Sequence, residues 1–426
     1  MTLGPRFWRL FAASATSNVG DGLYITAIFL LAATLTRDPF EISIVTALFF
    51  LPWLLFALPS GAVVDSVDRR RAMVFTGIFR TAVMGCLTLT IVLDAVSMPV
   101  VYVVVFLLGT AETMYESATR ALLPAVVDRE GLDAGNARLA GAQTIGQEFA
   151  TPPLAGALFA VTSAIPFVGA TVSFGMATVL AASLPGRYRA APEGDSRERP
   201  RMRAQIREGL VWVRGNRTIH TLMIFGGITG FAGAGTNGVM VLFATDELGL
   251  DETGFGLLIT SVAAGAVVGS LNATWLSRRF GRGPAILGSW VVTGIGYAGF
   301  GLSTHAVVAG AWFALAGWGV MVSNVLTMSL RQALIPEALF GRVLGAWRTV
   351  VWGVMPLGAA AGGLLAQAAG LRAPMLAMGL VSVLVAVGGA RQLLGSDDDA
   401  RCQTVEFEPV GDMTSDAVDV HAPSAR

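Results

Sequence analysis

The sequence predicts an all-α membrane protein whose twelve transmembrane helices form two pseudo-symmetric six-helix bundles. Of its 426 residues, 54% are hydrophobic and only 14% are charged, so apolar surface far exceeds what one soluble core would bury. Apolar windows of about 20 residues, the length that crosses a bilayer core of roughly 30 Å, recur along the chain. Polar motifs also recur at matching positions of its two halves. Lipid is therefore part of the solvent of this fold.

The apolar windows define the predicted spans. Glycine and proline are frequent inside them, as expected where helices pack closely in lipid. The windows lie near residues 9–34, 42–64, 73–93, 98–120, 140–162, 165–184, 219–243, 254–276, 284–302, 306–330, 342–366 and 372–394.

The basic residues orient these spans. All 29 are arginine, and with an inside N-terminus only Arg37 and Arg372 fall on the outer side. Cytoplasmic loops of membrane proteins carry the excess of basic residues. We therefore expect a multi-pass protein of the cell membrane with both termini in the cytoplasm.

The longest internal loop divides the chain. Residues 186–217 are rich in arginine and separate an N-terminal bundle, residues 1–185, from a C-terminal bundle, residues 218–394. Within this linker, residues 206–213 fit either an amphipathic helix on the inner leaflet or an ordinary solvated helix. Residues 395–426 are polar and acidic, which predicts a disordered tail.

Two motifs repeat between the halves. Arg120 and Pro124 follow the fourth span, as Arg331 and Pro336 follow the tenth. A charged hinge follows the second span and a weaker one the eighth; their residues are Gly61, Asp65, Asp68, Arg69, Arg70 and Arg71, then Arg278, Arg279 and Arg282. Recurrence in the same order indicates duplicated six-helix halves.

The first hinge resembles the loop signature of the major facilitator superfamily. Ser66 and Asp68 replace its usual arginine and glycine, which places the tight turn there in doubt. The Asn18-x-Gly20-Asp21 motif, residues 207–214 and residues 336–343 are similar to the enterobactin-exporter and macrolide-efflux-like branch. The resemblance covers about residues 8–394.

This resemblance implies a secondary transporter that works by alternating access, with spans one, four, seven and ten around a central cavity. It also implies that Asp65, Arg69 and Arg70 form a gate at the cytoplasmic junction of the halves. A plain stop-transfer cluster would contain the same arginines, but it would not require their spacing to Gly61 and Asp65.

Carboxylates inside the spans are the candidates for proton coupling. A charge in lipid costs between about 2.5 and 17 kcal/mol, so each one indicates a function or a partner. Asp21 lies about 18 Å into the first span at 1.5 Å per residue, and Glu112 lies similarly deep in the fourth. Both can face the central cavity and exchange protons. Alternatively, Asn18 satisfies Asp21 within a helix contact, and Glu112 is a buried structural residue.

Three neighbouring charges have structural interpretations. Glu116 and Arg120 are one helical turn apart, which predicts that they neutralise each other near the inner end, although Glu116 is also a coupling candidate. Arg80 lies one or two turns into the third span, and we expect it to extend towards the inner headgroups.

The fifth span combines a carboxylate with helix-breaking residues. Glu148 is a further coupling candidate, and Pro152, Pro153 and Gly156 resemble a degenerate form of the superfamily's antiporter signature. Transport is then directed outward. A kinked packing helix would contain the same residues, because proline in a membrane helix needs no functional reason.

Uncharged polar residues are the candidates for contact with substrate. Trp318, Met321, Trp347 and Trp352 would add an adaptable apolar wall for amphipathic ligands, although aromatic residues at this spacing also face lipid. The polar candidates are Asn18, Asn237, Ser323, Asn324 and Thr327.

The sequence excludes several other functions. It has no lysine and therefore no phosphate-binding Gly-x-x-x-x-Gly-Lys motif, and we find no Ser-His-Asp set, metal site or cofactor motif. The arginines are spread along one membrane face, so no nucleic-acid partner is predicted.

We therefore expect a monomeric, proton-coupled exporter of small amphipathic organic molecules in contact with lipid and protons. An importer or facilitator of a nutrient or siderophore-like compound has the same architecture, and a lipid-handling or interaction protein without coupled transport is a third class.

Overall fold

The computed structural model describes residues 3–189 and 202–405, which are about 90% helical and contain no strand. The helices of the first half are α1 (Pro5–Leu35), α2 (Pro39–Ser66), α3 (Arg69–Val92), α4 (Met98–Val126), α5 (Leu132–Gln143), α6 (Thr151–Val161) and α7 (Ala164–Ala182). A π-helical turn, Thr144–Ala150, joins α5 to α6, and a single 3-10 turn, Arg129–Gly131, precedes α5.

A linker helix, α8 (Met202–Gly215), precedes the second half. The remaining helices are α9 (Arg217–Leu242), α10 (Glu252–Phe280), α11 (Arg282–Leu302), α12 (Ala306–Leu334), α13 (Glu337–Gly353), α14 (Met355–Ala369) and α15 (Ala373–Val405). A second π-helical turn, Phe243–Glu247, follows α9.

Short polar side chains set several of the helix starts. Asp38, Asp68, Asn216 and Asp251 each accept a backbone N–H of the first turn of α2, α3, α9 and α10, respectively. Such caps accept hydrogen bonds from backbone N–H groups that have no partner within the helix.

The two halves use the same helix pairing. In the first half α1 packs on α6 and α7, α3 packs on α4 and α7, and α2 packs on α4; in the second, α9 packs on α14 and α15, α11 packs on α12 and α15, and α10 packs on α12. The equivalence supports the predicted duplication.

The first helix begins at one end of the bundle, beside the end of the last helix of the first half. We call this end the terminal face: α1 begins there beside the end of α7, where the Arg9 guanidinium donates to the Ser183 carbonyl at 2.8 Å. At the other end, the opposite face, α2 begins beside the end of α14, where the Gln367 amide donates to Asp38 at 2.6 Å.

Glycine allows the two halves to touch along a seam. α6 crosses α10 so closely that a Cβ on Gly156 would overlap the Glu252 carbonyl, and one on Gly256 would overlap the Pro152 carbonyl. At the second crossing, α2 and α14 meet, and a Cβ on Gly363 would overlap Ser43. Both crossings lie towards the opposite face.

Eleven helices of the described chain are long and apolar enough to span a membrane. The predicted fifth span, residues 140–162, is not among them, although α5, the π-helical turn and α6 form an unbroken helical segment there. This segment is less apolar than the others because it carries Gln143, Gln147 and Glu148.

The fifth span and its counterpart in the second half both depart from regular α-helical geometry part-way along. The π-helical turn stands before Pro152 and Pro153, and α13 gives way to α14 at Val354, just before Pro356. Proline removes a helical hydrogen bond and disturbs the preceding turn. π-helical turns often occur at functional sites.

The linker helix packs on the second half. A Cβ on Gly209 would overlap the Arg342 carbonyl of α13, and Val213 is fully buried. Residues 206–213 were expected to form an amphipathic helix on the inner leaflet or a solvated helix, and neither expectation includes packing against α13. Residues 190–201 lie outside the described part, as do residues 406–426; α15 continues through residues 395–405 of the predicted tail, where no proline stops the helix.

We expect Gly362→Ala to destabilise the second half. Gly362 of α14 lies so close to Gly235 of α9 that a Cβ would overlap backbone atoms. Overpacking of this kind costs about 1–3 kcal/mol. Gly345→Ala is the matched control, since no atom lies within 4 Å of its Cβ position. Thermal unfolding in detergent, followed by tryptophan fluorescence, should show a lower midpoint for Gly362→Ala alone; equal midpoints would contradict the close contact.

Candidate functional site

Three helices bring Asp21, Arg80 and Glu112 together inside the first half. The Arg80 side chain is only 2% exposed and forms an ion pair with Asp21 of α1. Its Nη1 lies 3.0 Å from the Glu112 carboxylate of α4. We call these three residues the charge cluster.

Polar and aromatic neighbours hold the Arg80 guanidinium. Nη1 donates to the Ser17 hydroxyl at 2.9 Å, and that hydroxyl donates to Asp21 at 3.5 Å. The guanidinium carbon lies 4.0 Å from the centre of the Phe174 ring and 5.3 Å from that of Tyr115. Ring faces attract cations, so the aromatic residues stabilise the same charge as the carboxylates.

Two expectations for this region are wrong. Arg80 does not extend to the headgroups, because two carboxylates on other helices bind it in the interior. Ser17, not Asn18, hydrogen-bonds Asp21 within α1. A sequence read one helix at a time does not show the partners of Arg80, although three ionisable residues inside apolar spans were a signal for them.

A central cavity adjoins the charge cluster and has two lobes that share Glu112, Glu116, Arg120 and Gln143. The aromatic lobe, about 280 Å³, is bounded by Asp21 and by an aromatic wall made of Phe49, Phe50, Trp53 and Trp352. The polar lobe, about 390 Å³, contains Asn18 and Asn136 and reaches the terminal end of α4 at Leu123. The cavity therefore extends from the charge cluster towards the terminal face.

Glu116 and Arg120 face this cavity. They form the ion pair that their spacing predicted, and that prediction is confirmed. Gln143 and Gln147, which the sequence analysis did not select, face the cavity from the segment that contains the π-helical turn.

The polar candidates of the second half do not line either lobe. Ser323 accepts a hydrogen bond from the Trp290 indole at 2.8 Å, because α12 turns it towards α11. Thr327 is buried and donates to the Ser323 carbonyl at 2.8 Å. Asn237 and Asn324 are exposed elsewhere. Of the predicted apolar wall, Trp352 lines the aromatic lobe, whereas Trp318, Met321 and Trp347 do not.

The hinge after α2 is built around Asp68. Its carboxylate caps α3 and also accepts the Tyr188 backbone N–H at 2.9 Å, which ties the end of the first half to α3. Asp68, which stands in place of the usual glycine, thus fixes the connection between α2 and α3 through its side chain. Arg70 donates to the Ala182 and Gly186 carbonyls at the end of α7.

The other hinge residues do not show contacts between the halves. Arg69 bonds Tyr188 through its backbone, and Arg71 is exposed. The space around Gly61 is open, and the side chain of Asp65 lies outside the described part. In the corresponding hinge of the second half, the side chains of Arg278, Arg279 and Arg282 are exposed.

Glu148 is exposed on the π-helical turn and lines neither lobe. Pro152 and Gly156 instead belong to the seam with α10, where Pro153 is also in close contact with Gly256. In this structure these three residues of α6 pack against α10.

Ion pairs at the opposite face include one that joins the halves and one within the second half. Arg37 contacts Asp246 of the second π-helical turn at 2.9 Å, and Arg372 holds the neighbouring Glu247 at 2.9 Å. These are the two arginines that the sequence analysis placed apart from all others.

Comparison with known proteins identifies the family. A family model described as transmembrane secretion effector matches residues 4–410. The chain belongs to that family.

Similar proteins of known name agree with the assignment. This family member is 27% identical to the multidrug efflux pump Tap of Mycolicibacterium fortuitum, over 90% of this chain and 94% of that protein. It is 23% identical to macrolide efflux protein A of Streptococcus pyogenes, over 90% and 94%. It is 26% identical to the enterobactin exporter EntS of Citrobacter koseri, over 80% and 81%.

Solved structures show the same fold. A bacterial homologue of the iron transporter ferroportin, in its inward-facing state, superposes with a TM-score of 0.71 at 18% identity, over 92% of this chain and 100% of that one. The nucleoside transporter NupG gives 0.73 at 13% identity, over 92% and 99%. The predicted major facilitator fold is confirmed, and this secretion effector is a multi-pass membrane transporter and not an enzyme.

We expect Arg80→Leu to destabilise this transporter through the carboxylates that it leaves behind. A buried ion pair that loses one partner costs about 3–5 kcal/mol. Adding Asp21→Asn and Glu112→Gln removes both stranded charges and should restore much of the loss. Thermal unfolding in detergent measures this, with Arg71→Leu, exposed on the same helix, as control. A triple variant as unstable as Arg80→Leu would show that packing, not charge, explains the effect.

Proposed function

We propose that this protein exports small amphipathic organic molecules across the cell membrane in exchange for protons, by alternating access. The observation that carries the proposal is the charge cluster at the wall of the cavity. The similarity to a multidrug pump, a macrolide efflux protein and an enterobactin exporter supports efflux as the direction.

The charge cluster contains one carboxylate more than its guanidinium can neutralise. Arg80 forms ion pairs with both Asp21 and Glu112, and in a low-dielectric interior two charged carboxylates beside one cation repel each other. Binding one proton neutralises the cluster. Glu112 is the accessible member, since its side chain is 28% exposed and lines both lobes, whereas Asp21 is 8% exposed.

Proton binding and the position of the helices are linked through Arg80. A proton on Glu112 removes its negative charge and weakens its ion pair with Arg80, which is then paired with Asp21 alone. Since these residues stand on α1, α3 and α4, the change alters contacts between three helices of the first half. Such differential contacts are what couples a ligand to a conformational equilibrium.

The cavity suits amphipathic molecules. Its aromatic wall offers apolar contact, and Gln143 and Gln147 supply hydrogen-bonding groups in the same lobe. Ligand sites of this kind combine an apolar lining with a few polar groups that orient the ligand.

The described conformation is closed at the opposite face and open towards the terminal face. With both termini in the cytoplasm, as the arginine distribution favours, this is the inward-facing state. The ion pair of Arg37 with Asp246 and the glycine seam close the outer side. In the outward-facing state, the hinge after α2, including Asp65, forms the inner gate. The protein acts as a monomer surrounded by lipid.

We expect Asp21→Asn and Glu112→Gln to abolish proton-driven transport. Each variant fixes one carboxylate in a neutral form, so the cluster is already neutral, and a proton on the remaining carboxylate would leave Arg80 as an unpaired buried cation. In proteoliposomes, uptake of a transported dye driven by a pH gradient should fall at least about tenfold, equivalent to 1.4 kcal/mol of coupling. Asp133→Asn, at an exposed position of α5, is the control. Gradient-driven transport retained by both variants would reject coupling at these positions.

Direction is tested separately. Everted membrane vesicles should accumulate the substrate of an exporter, whereas right-side-out vesicles would accumulate that of an importer, the second function that this architecture allows. Accumulation only in right-side-out vesicles would replace the proposed direction.

We expect Arg37→Asp to weaken closure of the opposite face. The pair with Asp246 is solvent-exposed and therefore worth about 0.2–1 kcal/mol, so its loss shifts the conformational populations by up to about fivefold. Distances between spin labels on the exposed Ala95 and His305 measure the shift, with Cys86 and Cys402 replaced by serine. Arg37→Asp combined with Asp246→Arg should restore the original distribution; failure to do so would deny the pair a role in closure.

A further inference from the structure

The second half contains a buried arginine without a carboxylate. Arg331 of α12 is 9% exposed, and its Nε donates to the Thr327 carbonyl at 3.2 Å. The guanidinium carbon lies 4.3 Å from the centre of the Trp347 ring. Arg80 in the first half has two carboxylates, whereas Arg331 forms no ion pair within the described residues.

A second arginine lies near Arg331, on the helix that carries Trp352 to the cavity. Arg348 interacts electrostatically with Arg331, and also with Arg120 and Glu116, which line both lobes of the cavity. Arg348 precedes Trp352 by one helical turn, so the two share a face of α13, and Trp352 belongs to the aromatic wall. Arg348 is exposed and, among the described residues, is not ion-paired.

These charges do not balance. Among the described residues, Glu116 is the one carboxylate that interacts with the guanidinium groups of Arg120 and Arg348, and it is already paired with Arg120, while none interacts with Arg331. Within the described part of the chain, two positive charges are therefore left in excess at this end of the bundle. An unpaired charge shielded from water is costly, and an anion that neutralises it binds favourably.

The charges along the cavity are also segregated by depth. Glu112 belongs to the negative charge cluster, and Arg120 lies two helical turns further towards the terminal face. The aromatic wall stands beside both. A ligand with an acidic group at the mouth of the cavity would therefore place its apolar part against the aromatic wall.

We propose that Arg331 and Arg348, with Arg120 on the facing wall, bind the carboxylate or phosphate group of an amphipathic anion. The site deepens the proposed function, on which it rests, by naming an acidic group as part of the transported molecule. An anionic lipid headgroup has the same chemistry. Arginine suits both, because its planar fork matches carboxylate and phosphate oxygens.

Equilibrium binding tests the site without any proton gradient. Full-length protein in phosphatidylcholine nanodiscs is titrated with naphthoate and, as the matched cation, naphthylmethylammonium, by isothermal titration calorimetry. Naphthoate should bind at least about tenfold more tightly, and its affinity should fall as salt screens the partly exposed charges. Equal affinity for the two probes would overturn the proposal.

Substitutions locate the site. Arg348→Gln should weaken naphthoate binding about tenfold, and Arg348→Lys should retain part of the affinity, since the charge remains but the fork is lost. Arg331→Gln should also weaken naphthoate binding. Because Arg331 is buried, Arg348→Gln provides the test if the Arg331→Gln variant does not fold. The control is Arg342→Gln on the same helix, whose guanidinium is paired with Glu208. Unchanged binding by Arg348→Gln would also overturn the proposal.

Phosphatidylglycerol distinguishes the two sources of the anion. If it lowers the naphthoate affinity of the wild-type protein but not of Arg348→Gln, the lipid headgroup occupies the same site. If it has no effect, the site selects the free amphipathic anion. Because binding is measured at equilibrium, failure of proton coupling in the Asp21 and Glu112 variants would leave these results unchanged.

Discussion

A guanidinium that cannot reach water organises the first half of this transporter. Arg80 is bonded to carboxylates on two other helices, and the Phe174 ring of a third packs against it. A charge at that depth is tolerable only while these partners surround it. The helices that supply them are consequently fixed relative to one another, and the cavity beside Glu112 takes its shape from that arrangement.

The two halves share a helix pairing but not a charge distribution. The first half neutralises its buried arginine with carboxylates, whereas the second surrounds Arg331 with Trp347 and a backbone carbonyl. Duplication therefore preserved the scaffold while the side chains facing the cavity diverged. At the seam the halves meet through glycines, whose close backbone contact leaves little room for side chains. At the opposite face they also meet through the ion pair of Arg37 and Asp246.

Hydrophobic windows were sufficient to predict the helical membrane architecture, because length and polarity are properties of each segment alone. The pair of Glu116 and Arg120 was predictable for the same reason, since both stand on one helix. Partners on different helices were not. Arg80 was expected to extend to the headgroups, and Ser323 to face the cavity. Neither does, because the sequence of a single helix does not reveal which neighbour each side faces. The fifth span deviates from the apolar pattern because its glutamines face the cavity.

The backbone contacts at the seam restrict how the protein can change its substrate range. At Gly156 and Gly256 any side chain would collide with main-chain atoms of the other half, so these positions cannot vary without separating the halves. The aromatic wall, in contrast, borders the cavity, so its side chains can change without a collision between the backbones of the two halves. Under the proposed function, new specificities would arise at Phe49, Phe50, Trp53 and Trp352, while the closing surface stays constant.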